Sequence, residues 1–503
     1  LLWNGGIGTY VKDISELNHE VGDSPNANVR INASELRVKV IGEGGNLGLT
    51  QKARIKFALN GGKINTDALD NSAGVDTSDY EVNIKILLND LVHRKIIKDT
   101  EERNEMLSMV KNEIVKHVLE DNYMQSQVIS CDLILSKKKQ VGDIAEYLRK
   151  TGLLNHKLES VLFLKENRMP TRPELCVLLA YTKIYLFKEV YKNIDMNNEQ
   201  VKKLYLEYFP SIFIEKYGKL LEDHPLKKEI AATILVNKVV NQTGISFLFD
   251  IVELTSKNFY ELMINYLKAE EILKTDILRK SIINMDNKVD ADIQYELLIE
   301  IEKTLKVAVE WFSYQDKYEI IRKSTEIFYN IVNNIPSKLN TYYKNNFARY
   351  KKHFISGGFN KKLAENICKI RYIKPAFDML DVTTKLDKNY SCVIKNYYYI
   401  DDLLQLHIIM EGIKNIKLKN SWDKVNSEIL LQRYKLLQKR ITEIITIKGI
   451  AWLKNAMEIR SDIFIKYNNF IELIKSSEVD NLIAFNVMLE TLFNFLKKYK
   501  DIE

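Results

Sequence analysis

Three short stretches hold the residues whose types and spacing can do chemistry: "GGIGTY" at Gly5–Tyr10, "GEGGNLGLT" at Gly42–Thr50 and "DNSAGVDTSDYE" at Asp70–Glu81. Each sets glycine, which lets backbone amides approach a ligand closely, beside side chains that donate and accept hydrogen bonds. Asn46 and Asn71 can each bond a carboxamide or a carboxylate, or simply tolerate a left-handed turn. Ser78 can bond a carboxylate beside the amides of a helix N-terminus, where anions are favoured. It can equally cap that helix in an S-x-x-E box with Glu81. Asp70, Asp76 and Asp79 crowd the same stretch, either tuning a neighbour or standing in solvent. Three glycine loops after strand-like runs point to one shared crevice; service in tight turns alone is the competing reading.

Several chemistries are absent from the pattern. The dinucleotide fingerprint G-x-G-x-x-G begins at Gly42 and Gly44, but Leu47 stands at its third position, and no G-K-[ST] phosphate loop occurs. The four cysteines, Cys131, Cys176, Cys368 and Cys392, form no C-x-x-C pair, and the seven histidines form no H-E-x-x-H. No metal site is expected, and the thiols read as the reduced cysteines of a cytoplasmic protein. The net charge of +7, from 74 basic and 67 acidic residues, is mild over 503 residues. No nucleic-acid partner is expected, and the run Ser136–Gln140 reads as a solvated loop. No run of ~18 apolar residues appears, so no membrane span is expected either.

The elements that must position these residues change character near residue 80. More than half of the 19 glycines lie at or before Gly74. "LRVKVIGE" (Leu36–Glu43) reads as a buried strand and "KINTDAL" (Lys63–Leu69) as another. Between them Thr50 caps a helix that Gly61 and Gly62 end. Strand, loop, helix, strand is the pattern of an α/β unit with a mostly parallel sheet. From Asp79 onward the pattern is helical, with Ile84, Leu87, Leu88 and Leu91 on one face. Pro170, Pro173, Pro210, Pro225, Pro336 and Pro375 each mark a loop or a first helical turn, and a break near Pro336 divides the helical region. The expected fold is thus a partial Rossmann-like, doubly wound α/β sheet followed by a large all-α region. Its divisions are 1–98, 99–335 and 336–503.

Longer runs carry a resemblance. "LLWNGGIGTYVK", "VKVIGEGGNLGLTQKARIKFALNGGKINTDALDNSAGVDTSDYEVNIKILLN", "TRPELCVLLAYTKI" and "HPLKKEIAATILVNKVVNQTGISF" together resemble the large, multidomain bacterial NAD-specific glutamate dehydrogenases. The similarity runs from Leu1 to about Trp311. Beyond that, only the helical character matches. The smaller glutamate dehydrogenases share an "AEGAN" loop, matched by Gly42–Asn46, and an "NAGGVxxSxxE" segment, matched by Asn71–Glu81. Here Ser72 replaces Ala, Ala73 replaces Gly, and "LGL" replaces the proline after the first loop.

The resemblance implies NAD as cofactor, through Gly6, Gly8, Thr9, Gly44, Asn46 and Asn71, and L-glutamate or 2-oxoglutarate as substrate, through Val75 and Ser78. It implies oxidative deamination of glutamate, in which the family's catalytic lysine and aspartate lie upstream of "LLWNGGIGTY". No catalytic residue is therefore expected within this chain, which reads as a C-terminal portion supplying one wall of the cleft and inactive alone. On that reading Leu1–Leu69 is expected to be poorly ordered in isolation, because a divided sheet exposes strand edges. The helical region is expected to assemble homo-oligomers. The alternative is a helical assembly or regulatory module without catalysis of its own.

Overall fold

The computed structural model describes residues 1–135, 138–155, 159–314 and 317–497. Of the run Ser136–Gln140, the first two residues lie outside this set, and the rest belong to the helix Lys138–Lys150. The chain divides into two compact units, one of Leu1–Arg279 with Gln294–Gln315 and one of Lys280–Ile293 with Asp316–Glu503.

The first unit opens with four short strands: β1 (Leu2–Asn4), β2 (Val11–Lys12), β3 (Ile31–Asn32) and β4 (Ile41–Glu43). They pair in parallel as β1 with β4, Leu2 opposite Ile41, and as β2 with β3, Val11 opposite Ile31. Helix α1 (Gln51–Leu59) starts where the sequence predicts, with the Thr50 hydroxyl accepting from Ala53 N at 3.1 Å. Val11, Ile41, Leu49, Ala53, Phe57 and Ile64 close a small apolar core beneath these elements.

Three expectations for local structure change. The strand expected over Leu36–Glu43 shortens to β4, with Val40 adding only an isolated bridge to Lys63. Its partner β1 is three residues long, and a strand extends only as far as it has a partner to bond. The strand expected over Lys63–Leu69 gives way to a helical turn, α2 (Asp67–Asp70). Helix α3 (Ser72–His93) begins six residues before Ser78, so the Ser78–Glu81 box does not cap it. Glu81 instead pairs with Lys85 at 2.5 Å. What carries the helix back to Ser72 is a tertiary contact: Asn122 donates to Leu69 O at 2.8 Å and to Ser72 Oγ at 3.1 Å, bracing the turn from below.

Asn122 lies on α4 (Thr100–Leu135), the long helix that packs along α3. The predicted apolar face of α3 is buried at Ile84, Leu87, Leu88 and Leu91. Helix α5 (Arg172–Asn193) starts where Pro173 is expected to mark a first helical turn. Its Glu174, fully buried, takes bonds from Thr171 N and Oγ1, Leu162 N, Phe163 N and Arg168. Helix α6 (Lys227–Thr243) starts two residues after Pro225, where His224 bridges Asn83 O at 3.0 Å and Leu226 N at 3.1 Å.

The second unit is helical. Its main helices are α7 (Thr325–Lys338), α8 (Thr341–Ser356), α9 (Lys361–Ile370), α10 (Ile373–Leu386), α11 (Tyr390–Leu403), α12 (Leu406–Asn415) and α13 (Ser421–Lys448). Two more, α14 (Ser461–Lys475) and α15 (Leu482–Lys497), complete it. Pro336, expected at a break, lies in the last turn of α7. A continuous apolar core joins α12, α13, α14 and α15 around Leu437, Tyr467, Phe485 and Leu489. All four cysteines are free thiols, three buried and Cys392 exposed. No described helix is long and apolar enough to cross a membrane.

Candidate active-site wall

The loop after β4 is held from inside by charge. Glu43 is fully buried, and Arg54 of α1 grips it through Nε at 2.7 Å and Nη2 at 2.9 Å. Arg54 also pairs with Asp67 at 3.0 Å, and Asp67 accepts from Leu47 N at 2.7 Å. Leu49 N donates to Glu43 at 3.2 Å. Burial works against the Arg54 charge, but the two carboxylates outweigh it and hold the guanidinium above its ordinary value. The cluster thus bonds both ends of the Gly44–Gly48 turn and fixes its course.

The glycines let two loops touch. A Cβ on Gly45 would collide with the backbone of Gly6, so the first and second glycine loops are in direct backbone contact. Gly8 has φ +136°, a conformation open to glycine, and a side chain there would also meet Asn26 and Tyr10. Thr9 beside it is buried, its amide donating to Asp23 at 2.7 Å.

The third stretch closes on the second. Asn71 Nδ2 donates to Asn46 Oδ1 at 2.8 Å, joining the loop after β4 to the start of α3. Asp70 accepts from Glu43 N at 2.9 Å and from Asn65 Nδ2 at 2.6 Å. Asn65 in turn accepts from Arg172 of α5 at 2.5 Å, and Arg172 also bonds Ser126 and Ser130 of α4. Val75 and Ser78 follow Asn71 at spacings of four and three on α3, hence on one face, and both are exposed. The structure therefore gathers Gly6, Gly44, Asn46 and Asn71 through contacts, and sets Val75 and Ser78 in line with Asn71. Gly8 and Thr9 lie further along the first loop.

Sequence reasoning missed the supports: Arg54, Asn65, Asn122 and Arg172. It named Asp76 beside Val75 but missed the charges that act on it, Asp121 and Lys183. Asp76 is pushed up to about 6, mainly by burial and then by the Asp121 carboxylate, against the pull of Lys183. Lys183 of α5 is lowered to about 8 by burial, opposed by Asp121 and Asp76, and donates to Gln125 at 3.2 Å. Arg172 and Lys183 both lie in "TRPELCVLLAYTKI", so the signal was present without a spacing rule to read it.

Comparison with known proteins matches two family models. The model "Bacterial NAD-glutamate dehydrogenase, catalytic domain" matches residues 1–132, and "Glutamate dehydrogenase, C-terminal" matches residues 168–492. The NAD-specific glutamate dehydrogenase of Pseudomonas aeruginosa is 32% identical over 461 residues, 88% of this chain and 28% of that protein. Its namesake in Halomonas elongata is 30% identical over 436 residues, 84% of this chain and 27% of that protein. The one in Mycobacterium tuberculosis is 40% identical over 266 residues, half of this chain and 16% of that protein. The chain spans little more than a quarter of the first two relatives' length. With most of its residues covered by these two models, the chain belongs to the family of bacterial NAD-specific glutamate dehydrogenases.

Proposed function

We propose that this chain forms one wall of a cleft in which L-glutamate is oxidatively deaminated to 2-oxoglutarate and ammonium, with NAD as cofactor. The Asn71–Asn46 bond carries the reading. With Asn71 Nδ2 spent on Asn46 Oδ1, Asn46 keeps its NH2 and Asn71 its carbonyl oxygen. One donor and one acceptor on adjacent loops form the set that a nicotinamide carboxamide requires. Gly6 leaves open space where a cofactor can lie against bare backbone, while Gly8, Gly44 and Gly45 pack on Tyr10, Trp3 and Gly6 and set the course of the loops around it. NAD, when bound, supplies the hydride acceptor. The protein's part is to hold the carboxamide through Asn46 and Asn71 and the glutamate side chain through Val75 and Ser78.

Residues 1–98 are read as the end of a Rossmann-like catalytic domain, with helical domains at 99–335 and 336–503 that assemble a cytoplasmic homo-oligomer. The parallel pairing of β1 with β4 supports the first assignment. A helical scaffold without catalysis has no use for glycine loops in backbone contact, which disfavours the alternative.

The test uses the purified native protein that carries this sequence. Asn71→Ala should raise KM for NAD, and Ser78→Ala KM for glutamate, each by about tenfold or more, the worth of one hydrogen bond to a polar or charged partner. Melting temperatures should stay unchanged. Wild-type kinetics in both variants would overturn the assignment.

A further inference from the structure

The second unit contains a cavity of about 420 Å³ lined by residues of α8–α13 and the turn between α9 and α10. That is within the usual range of small-molecule sites, roughly 300–1,000 Å³. The space is partly open to solvent, so a small molecule can enter it without unfolding the helices.

Its walls are aromatic and fixed. Seven tyrosines and one phenylalanine line it. Tyr343 and Tyr434 direct their hydroxyls to the fully buried Asp401, at 3.4 and 3.5 Å. Asn340 at 2.9 Å and His407 at 2.8 Å complete that carboxylate's partners, and Tyr342 stacks on His407 with centroids 4.4 Å apart. These rings are therefore held in place before any ligand arrives. Tyr398, 2% exposed, adds its ring to the wall, its hydroxyl being shielded from the space.

The charge around the cavity is mainly positive. Arg371, Lys374, Lys414 and Lys435 line it against two acids, Asp378 and Glu411. Glu411 pairs with Lys414 at 3.5 Å. Asp378 is pushed up to about 6 by burial, against the pull of Lys439, Lys435 and Lys374. The Arg371 guanidinium lies 3.6 Å from the Tyr350 ring centroid, a flat cation on a flat ring at the edge of the space.

We propose that this cavity binds a small planar aromatic anion, its ring against the tyrosine walls and its charge at Arg371 and Lys374. Two sources share that chemistry, a nucleoside 5′-phosphate and an aromatic carboxylate. The site owes nothing to the dehydrogenase reading, and its test reads binding, not turnover.

Isothermal titration of the 503-residue chain with adenosine 5′-monophosphate and, separately, indole-3-acetate distinguishes the two sources. At least one should bind in a 1:1 ratio, with adenosine or inorganic phosphate alone binding at least about tenfold more weakly. Arg371→Gln should weaken binding by a similar factor. Lys374→Gln should weaken it too with the melting temperature of the free protein unchanged, a split that a purely structural lysine would not produce. No saturable binding of either anion up to about 1 mM would overturn the proposal. So would binding that both substitutions leave unchanged, because the anion would then occupy another place.

Discussion

The loop-built segment over residues 1–71 and the helical core of the second unit hold themselves together in opposite ways. In the loops, few apolar side chains are buried and Trp3, Ile7 and Leu47 are largely exposed, so the chain is fixed by Arg54–Glu43–Asp67 and by Asp70. In the second unit, dozens of apolar side chains interlock, and the buried Asp401 is one polar group among them. A structure fixed by a few buried polar bonds places its backbone accurately but fails at single points. One fixed by apolar packing spreads its losses.

The largest expected effect tests that contrast directly. Arg54→Ala strands a buried carboxylate, at a cost of about 3–5 kcal/mol. Amide exchange measured residue by residue should rise over Ile41–Thr50 and leave the second unit unchanged. A uniform rise would mean that the loops do not depend on this one cluster.

Next is one of the buried carboxyls within the helices. Asp132 of α4 is 5% exposed, accepts from Ile245 N at 3.1 Å, and is pushed up to about 7 by burial. A carboxyl whose folded value lies above its unfolded one binds protons more readily in the folded state. Its stabilising contribution is full below about pH 4 and is lost as pH rises through about 7. Asp132→Asn should therefore stabilise the protein at pH 8 by up to about 4 kcal/mol and flatten the decline in stability between pH 4 and 8. Parallel melting curves of the two proteins across that range would refute the assignment.

Gly45→Ala drives a methyl group into the Gly6 backbone and should cost about 1–3 kcal/mol, seen as a lower melting midpoint and as exchange in both loops together. If only one loop responds, the contact is not shared. The smallest stability effect belongs to Asn71→Ala, under about 1 kcal/mol because its bond to Asn46 is exposed. The same change has a large expected effect on cofactor affinity, so stability and function separate at this position.

Legibility in the sequence followed the same division. Helix starts were readable wherever a local rule governs them, as at Thr50 and beside Pro173 and Pro225; the Thr171–Glu174 box and the His224 bridge that complete two of them were not named. The start of α3 was not, because Asn122, fifty residues beyond Ser72, sets it. The glycine stretches were readable as places of close backbone approach. Their mutual contact, and the reach of Arg172 to Asn65 across 107 residues, were not, since spacing says nothing of which loops meet. Strand lengths failed for a related reason: a strand's length is decided by its partner, which lies elsewhere in the chain.

The uneven burial of the cysteines has a practical consequence. Cys131, Cys176 and Cys368 are shielded, and Cys392 is open to solvent in the first turn of α11. A maleimide dye should therefore attach once, without prior mutagenesis. The label would sit about one and a half helical turns from Tyr397 and Tyr398, turning the native thiol into an optical probe of what enters the tyrosine-lined space.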